Sequence, residues 1–228
     1  MSLIVSENSG NNSTFIQVPV GMHLAMCYRI IDLGTQQTEY QGTVKHQPKV
    51  MFQFEVHGEG EDGKPLVTPQ GDPLSVSKNF TLSLGEQANL RKDLQTWRGR
   101  EFTAEELKSF DLKAVLGAWC MLSITHREYN GKTYSSIANI NPVPVAIKKA
   151  GLPTAHNPLK IFSIANADMA LFETFSTYIQ DKIKSSPQWE SNGHDLGWKQ
   201  EPVTSRQPES VTKTDPMDGL EDLSLIHI

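Results

Sequence analysis

The stretch Trp119–Ile140, WCMLSITHREYNGKTYSSIANI, decides how the rest of the chain is read. Two runs suited to β structure flank Asn130-Gly131, a pair that tolerates the positive φ angles of a two-residue turn, so the spacing predicts a β-hairpin. In its first arm Cys120, Leu122 and Ile124 point one way, while Trp119, Met121, Ser123, Thr125 and Arg127 point the other. One face is available for burial and the other for binding.

Outward from the hairpin, Asp111–Gly117 reads as a short helix with Asp111 as N-cap and Gly117 as a left-handed stop. Three strands are expected upstream. The first, Met22–Leu33, is apolar on both faces, so its pattern leaves the core side open. The second, Lys49–His57, alternates cleanly, with Val50, Phe52, Phe54 and Val56 inward; the third, Val76–Leu84, turns Phe80, Leu82 and Leu84 inward. Residues 34–48 show no periodicity and read as a loop, and the Gly/Pro-rich residues 58–73 as a long connection. Ser83 and Glu86 have capping-box spacing for a helix to about Trp97 that gathers Leu90, Leu94 and Trp97 on one side, and Thr103 with Glu106 repeats the pattern. Three strands, helices, then two strands is the order of a mainly β, five-stranded barrel of the oligonucleotide-binding (OB) kind, with the helices between strands three and four. Beyond it, a helix is expected over Asn166–Lys184, with Met169, Phe172, Phe175, Ile179 and Ile183 along one side; that face calls for docking on the barrel or, equally, for a homodimer.

The 228 residues suffice for one good core, and the 38% apolar share is thinnest in the first dozen residues and after Ser185. The chain therefore divides into a flexible N-terminus (1–14), a barrel domain (15–145), a linker (146–165), a helix (166–185) and a disordered acidic tail (186–228). No signal peptide or membrane-spanning run is expected, and Cys27 and Cys120, both in apolar strand patterns, read as buried free thiols of a cytosolic protein. The formal net charge of −5 hides an asymmetry: Asp215, Asp218, Glu221 and Asp222 stand at the end with no Lys or Arg after them, so the preceding body is near neutral and can carry a basic face.

Basic and aromatic side chains interleave at two places. Arg91, Lys92, Arg98 and Arg100 form the densest basic group, and Arg127, Tyr129, Lys132 and Tyr134 surround the hairpin turn, with Trp119 at its base. Cations hold phosphate, while aromatic faces accept unstacked bases without reading their identity, so these nine residues are the candidates for nucleic-acid contact. Trp97 shares a side with Leu90 and Leu94 and reads as core. The seven histidines show no zinc spacing with the two cysteines, and Gly131-Lys132 lacks the glycines and hydroxyl partner of a phosphate loop. The reading is non-enzymatic, with no metal and no cofactor.

Four further motifs carry a family resemblance: Tyr28-Arg29-Ile30-Ile31-Asp32-Leu33-Gly34; Leu90-Arg91-Lys92-Asp93-Leu94 with Trp97-Arg98-Gly99-Arg100; Phe110-Asp111-Leu112 through Leu116-Gly117; and Gly131-Lys132-Thr133-Tyr134 followed by Ile137 and Ile140. With the Pro142-Val143-Pro144 exit and the run Asp181–Pro187, the chain resembles single-stranded-DNA-binding proteins of tailed bacteriophages, chiefly over residues 15–145. The resemblance implies an OB-type barrel that protects single-stranded DNA during phage replication or recombination in the bacterial cytoplasm. It also implies that the acidic tail, through Asp215, Asp218, Glu221 and Asp222, recruits other replication or recombination proteins. The alternative is a phage protein-interaction module, inhibiting or recruiting a host factor, on the same barrel. The last six residues, Leu223–Ile228, read like a translated sequencing adapter, which would end the native sequence near Asp222.

Overall fold

The structure is a computed structural model that describes residues 16–40, 42–60 and 62–192. Its central strand is β1 (Gly21–Tyr40), which pairs antiparallel with β2 (Thr43–His57) on one side and β4 (Trp119–Tyr129) on the other. β3 (Ser75–Thr81) extends the sheet beyond β2, and β5 (Lys132–Asn141) extends it beyond β4, giving the order β3-β2-β1-β4-β5. A sixth strand, β6 (Lys160–Phe162), adds a short parallel pairing to β1 at Arg29–Ile31. The protein is thus mainly β, with a six-stranded, largely antiparallel sheet and a few short helices.

The hairpin forms as its sequence requires. Asn130 has φ 50° and Gly131 φ 71°, the double left-handed geometry that lets two residues join twisted strands. Cys120, Leu122 and Ile124 are buried, and they meet Ile137 and Ile140 of β5 in the main core. Val50, Phe52, Phe54 and Val56 of β2 lie in the same core, where Phe52 and Phe54 are wholly enclosed and each contributes about 1.5–3 kcal/mol through burial. Helix α1 (Asn89–Arg98) closes this core with Leu90, Leu94 and Trp97. Lys78 of β3, on the inward row between Val76 and Phe80, is buried too. Its ammonium donates to the Ile137 and Ala138 carbonyls of β5 at 3.0 and 3.4 Å and pairs with Asp93 of α1 at 2.9 Å, tying both ends of the strand order and the helix together. The thiols of Cys27 and Cys120 are free and buried, which pushes both well above the usual thiol range.

β1 answers the question its sequence leaves open: both faces are covered. A bulge between Cys27 and Arg29 shifts the inward row from Ala25 and Cys27 to Ile30, and Ile31 and Leu33 emerge on the opposite side. There they meet a second core built by Phe162 of β6 and by α4 (Met169–Glu173), α5 (Thr177–Lys184) and α6 (Pro187–Ser191).

Several elements differ from expectation. Residues 34–40 and 43–48 are strand: β1 and β2 continue as a paired ladder to Tyr40 and Thr43, because Thr, Gln and Val extend an existing ladder without needing a buried face to set a period. β3 ends at Thr81, leaving Leu82 45% exposed. Ser83 does not cap α1. Its hydroxyl accepts from the Gly85 N–H at 3.2 Å in a local turn, and the helix starts only at Asn89. The Thr103–Glu106 box does form and opens α2 (Ala104–Lys108), while Asp111 caps a 3-10 turn, Leu112–Val115, rather than an α-helix. The linker contains α3 (Val145–Ala150) and β6. The helix expected over 166–184 is broken at Thr174–Ser176, where Ser176 caps α5 afresh. Residues 187–191, assigned from sequence to the tail, form α6, and Trp189 stacks on Phe172 with ring centroids 4.7 Å apart.

Candidate nucleic-acid interface

The hairpin candidates converge. Along β4, Trp119, Arg127 and Tyr129 occupy alternate positions on the face opposite Cys120, Leu122 and Ile124. Across the ladder Arg127 sits opposite Tyr134 and Tyr129 opposite Lys132, so two cations and two phenol rings share one face in a crossed pattern. Lys132 is exposed, and Arg127, Tyr129 and Tyr134 are half-buried. The row from Trp119 to Tyr129 is about 33 Å long at strand rise. The opposite side of the hairpin end is closed by Gln17 and Val18: the Val18 carbonyl accepts from His126 Nε2 and Ser135 Oγ, both at 2.9 Å, and Gln17 Nε2 donates to the Thr133 carbonyl. That packing directs the paired Arg/Tyr face outward.

Trp119 is half-buried at the base of the row. Its ring centroid lies 4.9 Å from that of His57, and its carbonyl accepts from Trp97 Nε1 at 3.0 Å. Trp97 itself is core, against Phe54. His57 in turn contacts Glu55, whose buried carboxylate accepts from the His156 and Asn157 N–H groups at 3.0 and 2.7 Å and from Asn157 Nδ2 at 2.8 Å. Burial works to raise the Glu55 pKa, but the two backbone donors, then His57 and the Asn157 amide, outweigh it and hold the carboxyl below the ordinary range.

The basic group around α1 is divided by the fold. Arg98 is drawn inward: its guanidinium lies 4.5 Å from the Phe102 ring centroid and 4.9 Å from that of Phe110, and Nη2 donates to Glu106. Arg100 reaches the same carboxylate from outside with donors at 2.7 and 2.9 Å, and its side chain remains 54% exposed. Arg100, the Thr103 N–H and Arg98 together hold the Glu106 carboxyl at about 2. Of the two arginines, then, only Arg100 faces solvent, and Glu106 offsets one of their charges. Arg91 donates to the Leu84 carbonyl at 3.3 Å, and Lys92, exposed, to Gln87 Oε1 at 3.1 Å. This group rides on α1 and the turn after it, a different element from the hairpin.

Asp215, Asp218, Glu221 and Asp222 lie outside the described residues. Among those described, no group of three or more His, Cys, Asp or Glu side chains is placed to hold a metal ion, and no helix is long and apolar enough to cross a membrane. No protein-family model and no curated protein matches this chain. The geometry of the side chains therefore carries the functional argument. Sequence reasoning passed over three charged residues that the fold gives work: Lys78, Glu55 and Arg29. Each stands in an apolar or alternating strand run, where a charge signals a buried partner or an open binding position.

Proposed function

We propose that this protein binds single-stranded DNA without sequence preference, across the outer face of the β4–β5 hairpin of an OB-type barrel. One observation carries the reading: Arg127, Tyr129, Lys132 and Tyr134 are brought together in cross-strand pairs on a face that the core does not use. Cations beside ring faces suit a strand whose phosphates and bases are both accessible, and a duplex offers only the former. The strand order β3-β2-β1-β4-β5, with Lys78 bridging β3 to β5, supports barrel closure of the OB kind. The phage-protein resemblance of the motifs along residues 15–145 points the same way, toward protection of single strands in phage replication or recombination. In this reading the acidic end serves partner proteins.

The test is titration of a labelled homopolymeric single strand and an equal-length duplex at several salt concentrations. The protein should prefer the single strand. Replacing Arg127 and Lys132 by alanine should lower the slope of log affinity against log salt by about 1.4, at roughly 0.7 per phosphate contact. Replacing Tyr129 or Tyr134 should cost about 1 to 3 kcal/mol per lost stack while leaving the slope unchanged. Equal affinity for duplex, or indifference to all four substitutions, would reject the reading and favour a protein-interaction module.

A further inference from the structure

The outer face of the sheet holds a second polar site. Arg29 of β1 is the register partner of Gln53 of β2, and Gln53 is the partner of Ser77 of β3, so the three form a row across adjacent strands. Thr174, Phe175 and Ser176, leading into α5, stand opposite this row and leave a cleft of about 450 Å³, its open mouth included. The Arg29 guanidinium lies 5.3 Å from the Tyr28 ring centroid and 5.6 Å from that of Phe175. Its Nε is buried with no hydrogen-bond acceptor, and Gln53 Oε1 is buried with no donor.

Among the described residues, no carboxylate lines this cleft. Glu55, the next outward residue along β2, is committed to His57, His156 and Asn157. A half-buried cation with a dry, unpartnered N–H is costly unless something anionic completes it. The remaining lining is rich in hydroxyls, including those of Ser75, Ser77 and Ser176. Ser176 is also the N-cap of α5, so the positive end of that helix lies at the wall. The Gln53 amide, whose two ends can be exchanged by rotation, can turn either a donor or an acceptor inward.

The geometry points to a binding site for one phosphate-sized oxyanion, with Arg29 as its charge partner and Gln53, Ser77 and Ser176 as its hydrogen-bonding frame. The site is built by the sheet and α5 and does not depend on the hairpin interface.

The experiment is a titration of the full chain with inorganic phosphate, with chloride adjusted to hold ionic strength constant, followed by amide NMR and by the separate Arg29 Nε–H resonance. Saturable shifts confined to Arg29, Gln53, Ser77 and the first turn of α5 are expected. Arg29→Gln should weaken binding roughly ten-fold or more, the loss typical of a charge-assisted contact. Ser77→Val, which keeps the cation and strand, should weaken it several-fold and serves as the second variant if Arg29→Gln fails to fold. Thymidine 5′-monophosphate and the dinucleotide dTpT separate the sources: a site for free or terminal phosphate binds the former more tightly, and a site for a strand's internal phosphodiester binds the latter more tightly. Absence of saturable phosphate shifts in the unsubstituted protein, or equal binding by every folded variant, overturns the proposal. Because no strand is present in the phosphate titration, that failure leaves the hairpin reading untouched.

Discussion

Arg98 and Arg100 meet one carboxylate, Glu106, from opposite sides of the protein surface. Arg98 approaches against a pair of phenylalanine rings with 14% of its side chain exposed, whereas Arg100 comes from solvent. Their near-identical sequence setting conceals different roles, since Arg98 holds the α1–α2 corner together from within and Arg100 closes on the same carboxylate from the solvent side. Arg98→Ala removes two cation–ring contacts, together worth about 2 kcal/mol. For a chain of this size the melting midpoint should then fall by roughly 4–8 °C. Arg100→Ala should lower it far less, because its side chain is 54% exposed and a surface ion pair contributes little. Thermal melts of the two variants check this, and equal shifts would place both guanidinia in solvent. The sequence showed that this cluster was basic. It could not show that one member would be captured by Phe102 and Phe110, because those rings come from α2's approach and from the turn before the 3-10 helix, with no period linking them to α1.

Among the elements, the hairpin was legible throughout, whereas of the C-terminal layer the apolar side Phe172, Phe175, Ile179 and Ile183 was legible and its division into separate short elements was not. Asn130-Gly131 encodes its turn locally, and strict alternation along β4 separates Cys120, Leu122 and Ile124 from the outward row. Strand β6 is three residues long, and α4, α5 and α6 hold five, eight and five, so an apolar side runs through α4 and α5 while β6, α6 and the break at Thr174–Ser176 carry no period of their own. What fixes them is tertiary. Gly34 adopts φ 67°, and a Cβ there would collide with Ser186 and Ile164, so the glycine is required by the seating of α6's N-cap on β1. Trp189, 7% exposed, then covers Phe172. A chain ended after Ser185 loses this cover, while one ended after Asn192 keeps it. Trp189→Ala should cost about 3–5 kcal/mol, as for other buried large-to-small changes. The shorter truncation should be destabilised by a similar amount relative to the longer one. Urea unfolding of the three proteins measures this, and identical midpoints for the two truncations would show that α6 adds nothing to the second core. The aromatic face that suggested a dimer is buried inside the chain: Phe172 and Phe175 close on Phe162, at 5.9 and 5.3 Å between centroids.

For the molecule as a whole, stability is coupled to pH through carboxylates at two separate places. Glu55 anchors His156 and Asn157 to the outer face of the sheet, and Glu106 joins α1 to α2. Both have folded-state pKa values below the ordinary glutamate value of 4.5. A group with a depressed folded pKa binds its proton more tightly when unfolded, so its stabilising effect is complete above the unfolded value and is lost as pH falls through the folded one. Asp93 acts in the opposite direction. Burial raises its pKa despite the Lys78 ammonium, so protonation on acidification relieves part of its burial cost. Exposed Asp62, beside Lys64, is depressed as well, and three depressed carboxylates against one raised one predict a net loss of stability below about pH 4.5, continuing toward pH 2, where Glu106 titrates. Glu55→Gln isolates one share. The amide retains an acceptor but places an NH2 where the carboxylate received N–H donors, so the variant should be weaker than the unsubstituted protein near pH 7. As pH falls the gap should narrow, because the unsubstituted protein loses an anion that the variant never had. Urea midpoints from pH 7 down to about pH 3 supply the measurement, and two parallel curves would show that the Glu55 charge contributes nothing to holding residues 156 and 157 against the sheet.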